Sequence, residues 1–165
     1  MFFITLLASV IFITPKNDTV IHRTSLIPTP VASSVNRTLL LQLVNDARQK
    51  GCKCGSAWYG SAAPLSWNDV LEKAAFNHST DMNGKGFFSH TSSTGMGAGP
   101  RLTAIGYNWK AYGENIAQGY TDEREVVAGW LKSPGHCANI MNKDYREMGV
   151  ANVNGYWTQD FGAKN

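Results

Sequence analysis

Asn154-Gly155 separates two runs with strand character, Met148 to Val153 and Tyr156 to Phe161. A two-residue loop of this type takes positive φ at both positions and closes a tight antiparallel hairpin, so one strand pair is specified locally. Ala111 to Ala117 supplies a third strand-like segment. Upstream the period is helical: Leu39, Leu40, Leu43, Val44 and Ala47 form an apolar stripe with Ser34 or Asn36 as N-cap, and Gly51 ends it. After Ser66, the residues Trp67, Leu71, Ala74, Ala75, His78 and Met82 share a second helical face that closes at Gly84. A third helix runs from Thr121 or Asp122 through Val126, Val127 and Trp130 to Ser133-Pro134. Three amphipathic helices and a small antiparallel sheet predict an α+β domain.

The 165 residues are one domain's worth of chain. Residues 1–14 form a hydrophobic, signal-like segment, almost wholly apolar from Phe2 to Ile13. It is shorter than the roughly 20 residues needed to span a bilayer and matches the apolar region of a secretory signal. No basic residue precedes it and no clean cleavage site follows, which leaves a retained anchor as the alternative. Residues 15–35, with Pro15, Pro28 and Pro30, read as a linker, and the folded domain is expected over 36–165. The expected location is outside the cell or in the periplasm, with no transmembrane domain and a monomeric state. A net charge of +3 carried by scattered Lys and Arg, with no basic run, argues against a nucleic-acid partner.

Gly113-Glu114-Asn115-Ile116-Ala117, Ser133-Pro134-Gly135-His136-Cys137 and Tyr156-Trp157-Thr158-Gln159-Asp160-Phe161-Gly162 set an acid, a histidine and a cysteine among small residues and aromatics. Such surroundings mark a recessed polar site. Pro64-Leu65-Ser66-Trp67-Asn68, His78-Ser79-Thr80-Asp81-Met82 and Phe87-Phe88-Ser89-His90 precede them in order. On these blocks, from about Asn36 to Gly162, the chain resembles the bacterial branch of the CAP superfamily (cysteine-rich secretory proteins, antigen 5, pathogenesis-related 1). The resemblance implies a three-layer α-β-α sandwich and a cleft lined by two histidines and two acids. His90, Glu114 and His136 fall on three of those four positions. The second acid is expected just after Trp130, where Leu131-Lys132-Ser133 offers no carboxylate. The aromatic-rich motif that follows the cleft histidine in eukaryotic members is replaced by Cys137-Ala138-Asn139-Ile140-Met141.

Two neutral imidazoles and a carboxylate are a ligand set that zinc accepts, so His90, His136 and Glu114 are the candidate metal residues. The alternative is that the same three groups hydrogen-bond to each other and to nearby backbone without a metal. The lack of a second acid favours a non-enzymatic binding module for a divalent metal, a small apolar molecule or a peptide. In the competing reading, a zinc-dependent hydrolase, His90 and His136 are ligands and Glu114 is ligand or general base, with no separate carboxylate left to act as base if Glu114 ligates the metal. His78 reads as a core-edge histidine donating one hydrogen bond. Ser89 faces away from His90 in an extended segment and lacks a nucleophile elbow, which argues against a serine hydrolase. Gly95, Gly97 and Gly99 before Pro100 read as a flexible loop without phosphate-binding spacing.

Cys52, Cys54 and Cys137 are an odd set, which in an exported chain implies one disulfide and one free or intermolecular thiol. The resemblance implies that Cys54 pairs with Cys137 and leaves Cys52 over. That bridge would close a loop of roughly eighty residues, worth about 4 kcal/mol in the chain-entropy model. A zinc site made from the three cysteines and His136 is disfavoured by the Cys-x-Cys spacing and by the oxidising context.

Overall fold

The computed structural model describes residues 35–165, so the hydrophobic segment 1–14 and all of the 15–35 linker except Val35 lie outside the described residues. Helix α1 (Arg37–Lys50) starts where Asn36 Oδ1 accepts from Leu39 N at 3.0 Å, and it ends at Gly51 with φ +74°. Its apolar stripe buries Leu40 and Val44, and it also buries Arg48, which the stripe does not announce. The Arg48 guanidinium donates to the carbonyls of Ala63, Ile140 and Asn142 at 2.7, 2.7 and 2.8 Å. Burial, followed by the nearby Arg146, pushes its pKa down to about 10. A short hairpin follows, β1 (Cys52–Cys54) and β2 (Ala57–Tyr59).

Ser66 and Trp67 form strand β3 (Ser66–Trp67) instead of opening a helix. Asn68 decides this: its side chain accepts from Val70 N and Leu71 N at 2.9 and 3.1 Å and caps α2 (Asp69–Lys85). The helix continues past Gly84, where a glycine costs only about 1 kcal/mol against alanine, and stops at left-handed Gly86.

The expected flexible loop at Gly95 to Pro100 is half helix, since α3 (Ala98–Ala104) begins within it. Pro100 lies in its first turn, where a missing N–H leaves no helical bond unmade, and the Tyr112 ring occupies the space a Gly99 Cβ would need. Then come β4 (Trp109–Gln118) and α4 (Glu123–Lys132), whose N-cap Asp122 accepts from Glu125 N at 2.9 Å. Helix α5 (Pro134–Met141), with Pro134 in its first turn, was not expected from the sequence. Strands β5 (Glu147–Val153) and β6 (Tyr156–Lys164) close the chain through Asn154 and Gly155, at φ 51° and 83°.

The main sheet has the order β3-β5-β6-β4, antiparallel throughout except for the short parallel pairing of β3 with β5. Its larger core, with Val126, Trp130, Ile140, Met148, Val150, Trp157 and Phe161, lies against α1, α4 and α5. On the other face α2 and α3 pack around Leu71, Ala74, Leu102 and Tyr107. The result is the three-layer α-β-α sandwich. Contact between β5 and α2 is so close that a Cβ on Gly149 would enter the backbone of Glu72.

Candidate functional site at the sheet edge

Strand β4 is an edge strand, and its alternation sends Asn115 and Ala117 toward the larger core and Glu114 toward α2 and α3. The Glu114 carboxylate is buried and both of its oxygens are engaged. Oε1 meets Nδ1 of His90 at 2.8 Å, and Oε2 receives the Arg101 guanidinium. Arg101 comes from α3 and also donates to the carbonyls of His90 and Met96 at 2.8 and 2.9 Å. Further ties hold the segment that carries His90. The Ser89 carbonyl accepts from His78 Nε2 at 2.8 Å, and Asp81 accepts from Ser93 N and Oγ at 2.7 and 2.6 Å.

His78 is a buried core-edge histidine. Because Nε2 donates to a carbonyl, Nδ1 is bare, and it has no partner. Burial holds the ring below the usual histidine pKa and so keeps it neutral.

His136 reaches the site from the first turn of α5. Three amide contacts lash that turn to β4: Asn115 Nδ2 donates to the His136 carbonyl at 3.2 Å, and Asn139 Nδ2 donates to the Glu114 carbonyl and to Asn115 Oδ1 at 3.1 and 2.9 Å. The half-buried imidazole is pushed below the usual histidine range, first by burial and then by the nearby His90 ring. The structure therefore bonds His90 to Glu114 directly and brings His136 within electrostatic reach of His90. Among the described residues, three ligand atoms come within 4.8 Å of one another at Cys52, Cys54 and Cys137, and His90, Glu114 and His136 form no such trio.

A second carboxyl is present, but it does not come from the segment after Trp130. Asp160 on β6 is the cross-strand partner of Glu114 and is buried beside it. Burial and the Glu114 charge hold Asp160 well above the usual carboxylate range. Its Oδ1 has no partner. Sequence reasoning missed Asp160 although it stands in the Trp157 to Phe161 block, because its role depends on the register between β4 and β6. It also missed Arg101, for which the sequence held no signal. Phe88, Met96 and Tyr112, each close in sequence to a residue of this network, are exposed. Cys54 is bonded to Cys137, with Cα atoms 5.4 Å apart, and Cys52 is a free thiol.

The sequence profile of the cysteine-rich secretory protein family, CAP, matches residues 41–161. The chain belongs to this family. The Bacillus subtilis protein YkwD is 35% identical over 135 residues, which cover 80% of this chain and 49% of that protein. The Bacillus subtilis membrane protein YlbC is 38% identical over 99 residues, 60% of this chain and 29% of its own length. An extracellular protein containing an SCP domain from Bacillus anthracis superposes with a TM-score of 0.68 at 30% identity, covering 77% of this chain and 40% of the other. An outer surface protein of Borrelia burgdorferi shares the fold, with a TM-score of 0.65 at 21% identity over 78% of this chain and 92% of that one. The chain spans half or less of the length of the curated relatives it matches. Among the described residues, no helix of this CAP domain is long and apolar enough to cross a membrane.

Proposed function

We propose that this CAP domain is an extracellular, non-enzymatic binding module whose cleft lies at the β4 edge, between His90 and His136. The observation that carries this reading is the state of Glu114. A general base needs an open lone pair near the substrate, whereas both Glu114 oxygens are already bound, to His90 and to Arg101. Asp160 does not replace it, because it is buried and the neighbouring Glu114 charge disfavours its ionised form. The exposed side chains of Phe88, Met96 and Tyr112 fit an apolar small molecule or a peptide.

The same geometry suits zinc. With Nδ1 of His90 bonded to a carboxylate, Nε2 is the free and oriented nitrogen, an arrangement common behind metal-binding imidazoles. His136 is kept neutral by burial, as a ligand must be. Glu114 would then orient the His90 ligand more than bind metal itself, and zinc held by the two imidazoles would leave positions open to water or ligand. Two imidazoles alone make an open, modest site, and bound zinc would supply a Lewis-acid anchor for a polar group of the ligand.

Calorimetry at neutral pH is expected to show zinc binding that is largely lost in a His90→Ala/His136→Ala variant. Binding should weaken as the pH falls through about 6.5, where imidazoles begin to protonate. No peptidase or esterase turnover should be seen. Identical heats in the two proteins would remove the metal site, and hydrolysis abolished by Glu114→Gln would establish the zinc-dependent hydrolase instead.

A further inference from the structure

Cys52 Sγ lies 3.2 Å from Cys137 Sγ and 3.7 Å from Cys54 Sγ, so a free thiol rests against a closed disulfide. The three sulfurs differ in access: Cys54 and Cys137 are buried, and Cys52 is partly open. We propose that the three cysteines form a thiol–disulfide exchange site in which Cys52 and Cys54 are interchangeable partners of Cys137. The proposal is independent of what the cleft binds.

In the exchange, the Cys52 thiol loses its proton to water and its sulfur attacks Cys137 Sγ. The Cys52–Cys137 bond forms, the Cys54–Cys137 bond breaks, and the departing Cys54 thiolate takes up a proton. Nothing is oxidised or reduced overall, so no co-reactant is needed. Cys52 sits beside the disulfide, at similar distances from both sulfurs, so attack in line with the bond requires rotation of the Cys52 side chain. The helix that carries Cys137 needs little movement, because the gap to be closed is only about 1.2 Å.

The other conceivable product, a Cys52–Cys54 bridge, is disfavoured by strand geometry. Residues two apart on an extended strand have Cα atoms about 6.6 Å apart, near the far limit for a disulfide. Exchange therefore runs between two bridges that both pin the first turn of α5, where His136 sits. Burial raises the pKa of the Cys52 thiol, so the reaction is slow at neutral pH and quickens as the solution becomes alkaline.

Two measurements test this. Cys54→Ser protein purified without reductant should contain no titratable thiol, and peptide mapping should find Cys52 joined to Cys137. Wild-type protein should be held at about pH 9, quenched in acid, unfolded, and labelled with N-ethylmaleimide at about pH 5, where exchange is arrested. Label should then appear on Cys54 as well as Cys52, summing to one per chain, and the Cys54 share should grow about tenfold faster per pH unit below the Cys52 pKa. Two free thiols in Cys54→Ser, or label confined to Cys52 at every time point, would overturn the proposal. The wild-type labelling decides the matter if the variant does not fold.

Discussion

Replacing Arg101 with Met is expected to lower the unfolding free energy by about 3–5 kcal/mol, because it strands the Glu114 carboxylate in the interior. Only 3% of the Glu114 side chain and 9% of the Arg101 side chain is exposed, so water cannot take over the role of the guanidinium. The same change removes the donors to the His90 and Met96 carbonyls and loosens the segment that presents His90. Urea unfolding at neutral pH measures the loss. Adding Glu114→Gln should recover a large part of it, since the second change removes the unpaired charge. A single-variant loss under about 1 kcal/mol, or a double variant no more stable than Arg101→Met, would show that the pair is not the buried clamp described here.

Asp160→Asn should act in the opposite direction and stabilise the protein at neutral pH. Burial and the Glu114 charge push the Asp160 pKa well above the range in which an unfolded aspartate ionises, near 3.9. A carboxyl whose folded pKa is raised contributes stability that is complete below the unfolded value and is lost as pH rises toward the folded one. Each unit of that interval costs about 1.4 kcal/mol. Asparagine keeps the shape and offers an N–H to Glu114 without that cost. The difference in melting temperature between variant and wild type should be near zero at about pH 4 and widen toward pH 7, by about 4 °C for each kcal/mol. His78 and His136 have depressed pKa values, so both proteins should also lose stability as pH falls below about 6.5. A variant less stable than wild type at neutral pH, or a difference that does not change with pH, would contradict the protonated state of Asp160.

The elements legible in the sequence were those set by neighbours a few residues apart. Asn154-Gly155 announced its hairpin because the turn needs positive φ at two successive residues. Leu40 and Val44 announced α1 through their spacing. Asn68 shows the limit of that reading, since the apolar stripe ran on through Trp67 while the cap decided where the helix begins. Pro100, after a glycine loop, and Pro134, at the end of the third helical pattern, each stand in the first turn of a helix, where proline is compatible with α3 and α5.

Residue order was enough for the local framework and, through ordered motifs, for the family; the same motifs nominate His90, Glu114 and His136 as the cleft residues. What surrounds Glu114 was set by tertiary packing. Arg101 reaches it from α3, of which only the residues up to Pro100 read as loop in the sequence, and Asp160 reaches it through the pairing of β4 with β6. Arg48 is the same case in the core, a charge buried by three carbonyls from two other places in the chain, Ala63 and the Ile140 to Asn142 segment. The physical reason is range. Caps, turns and helical periods are fixed by backbone geometry within one or two turns, whereas the burial and partners of a charged side chain depend on strand register and helix packing between segments far apart in the chain.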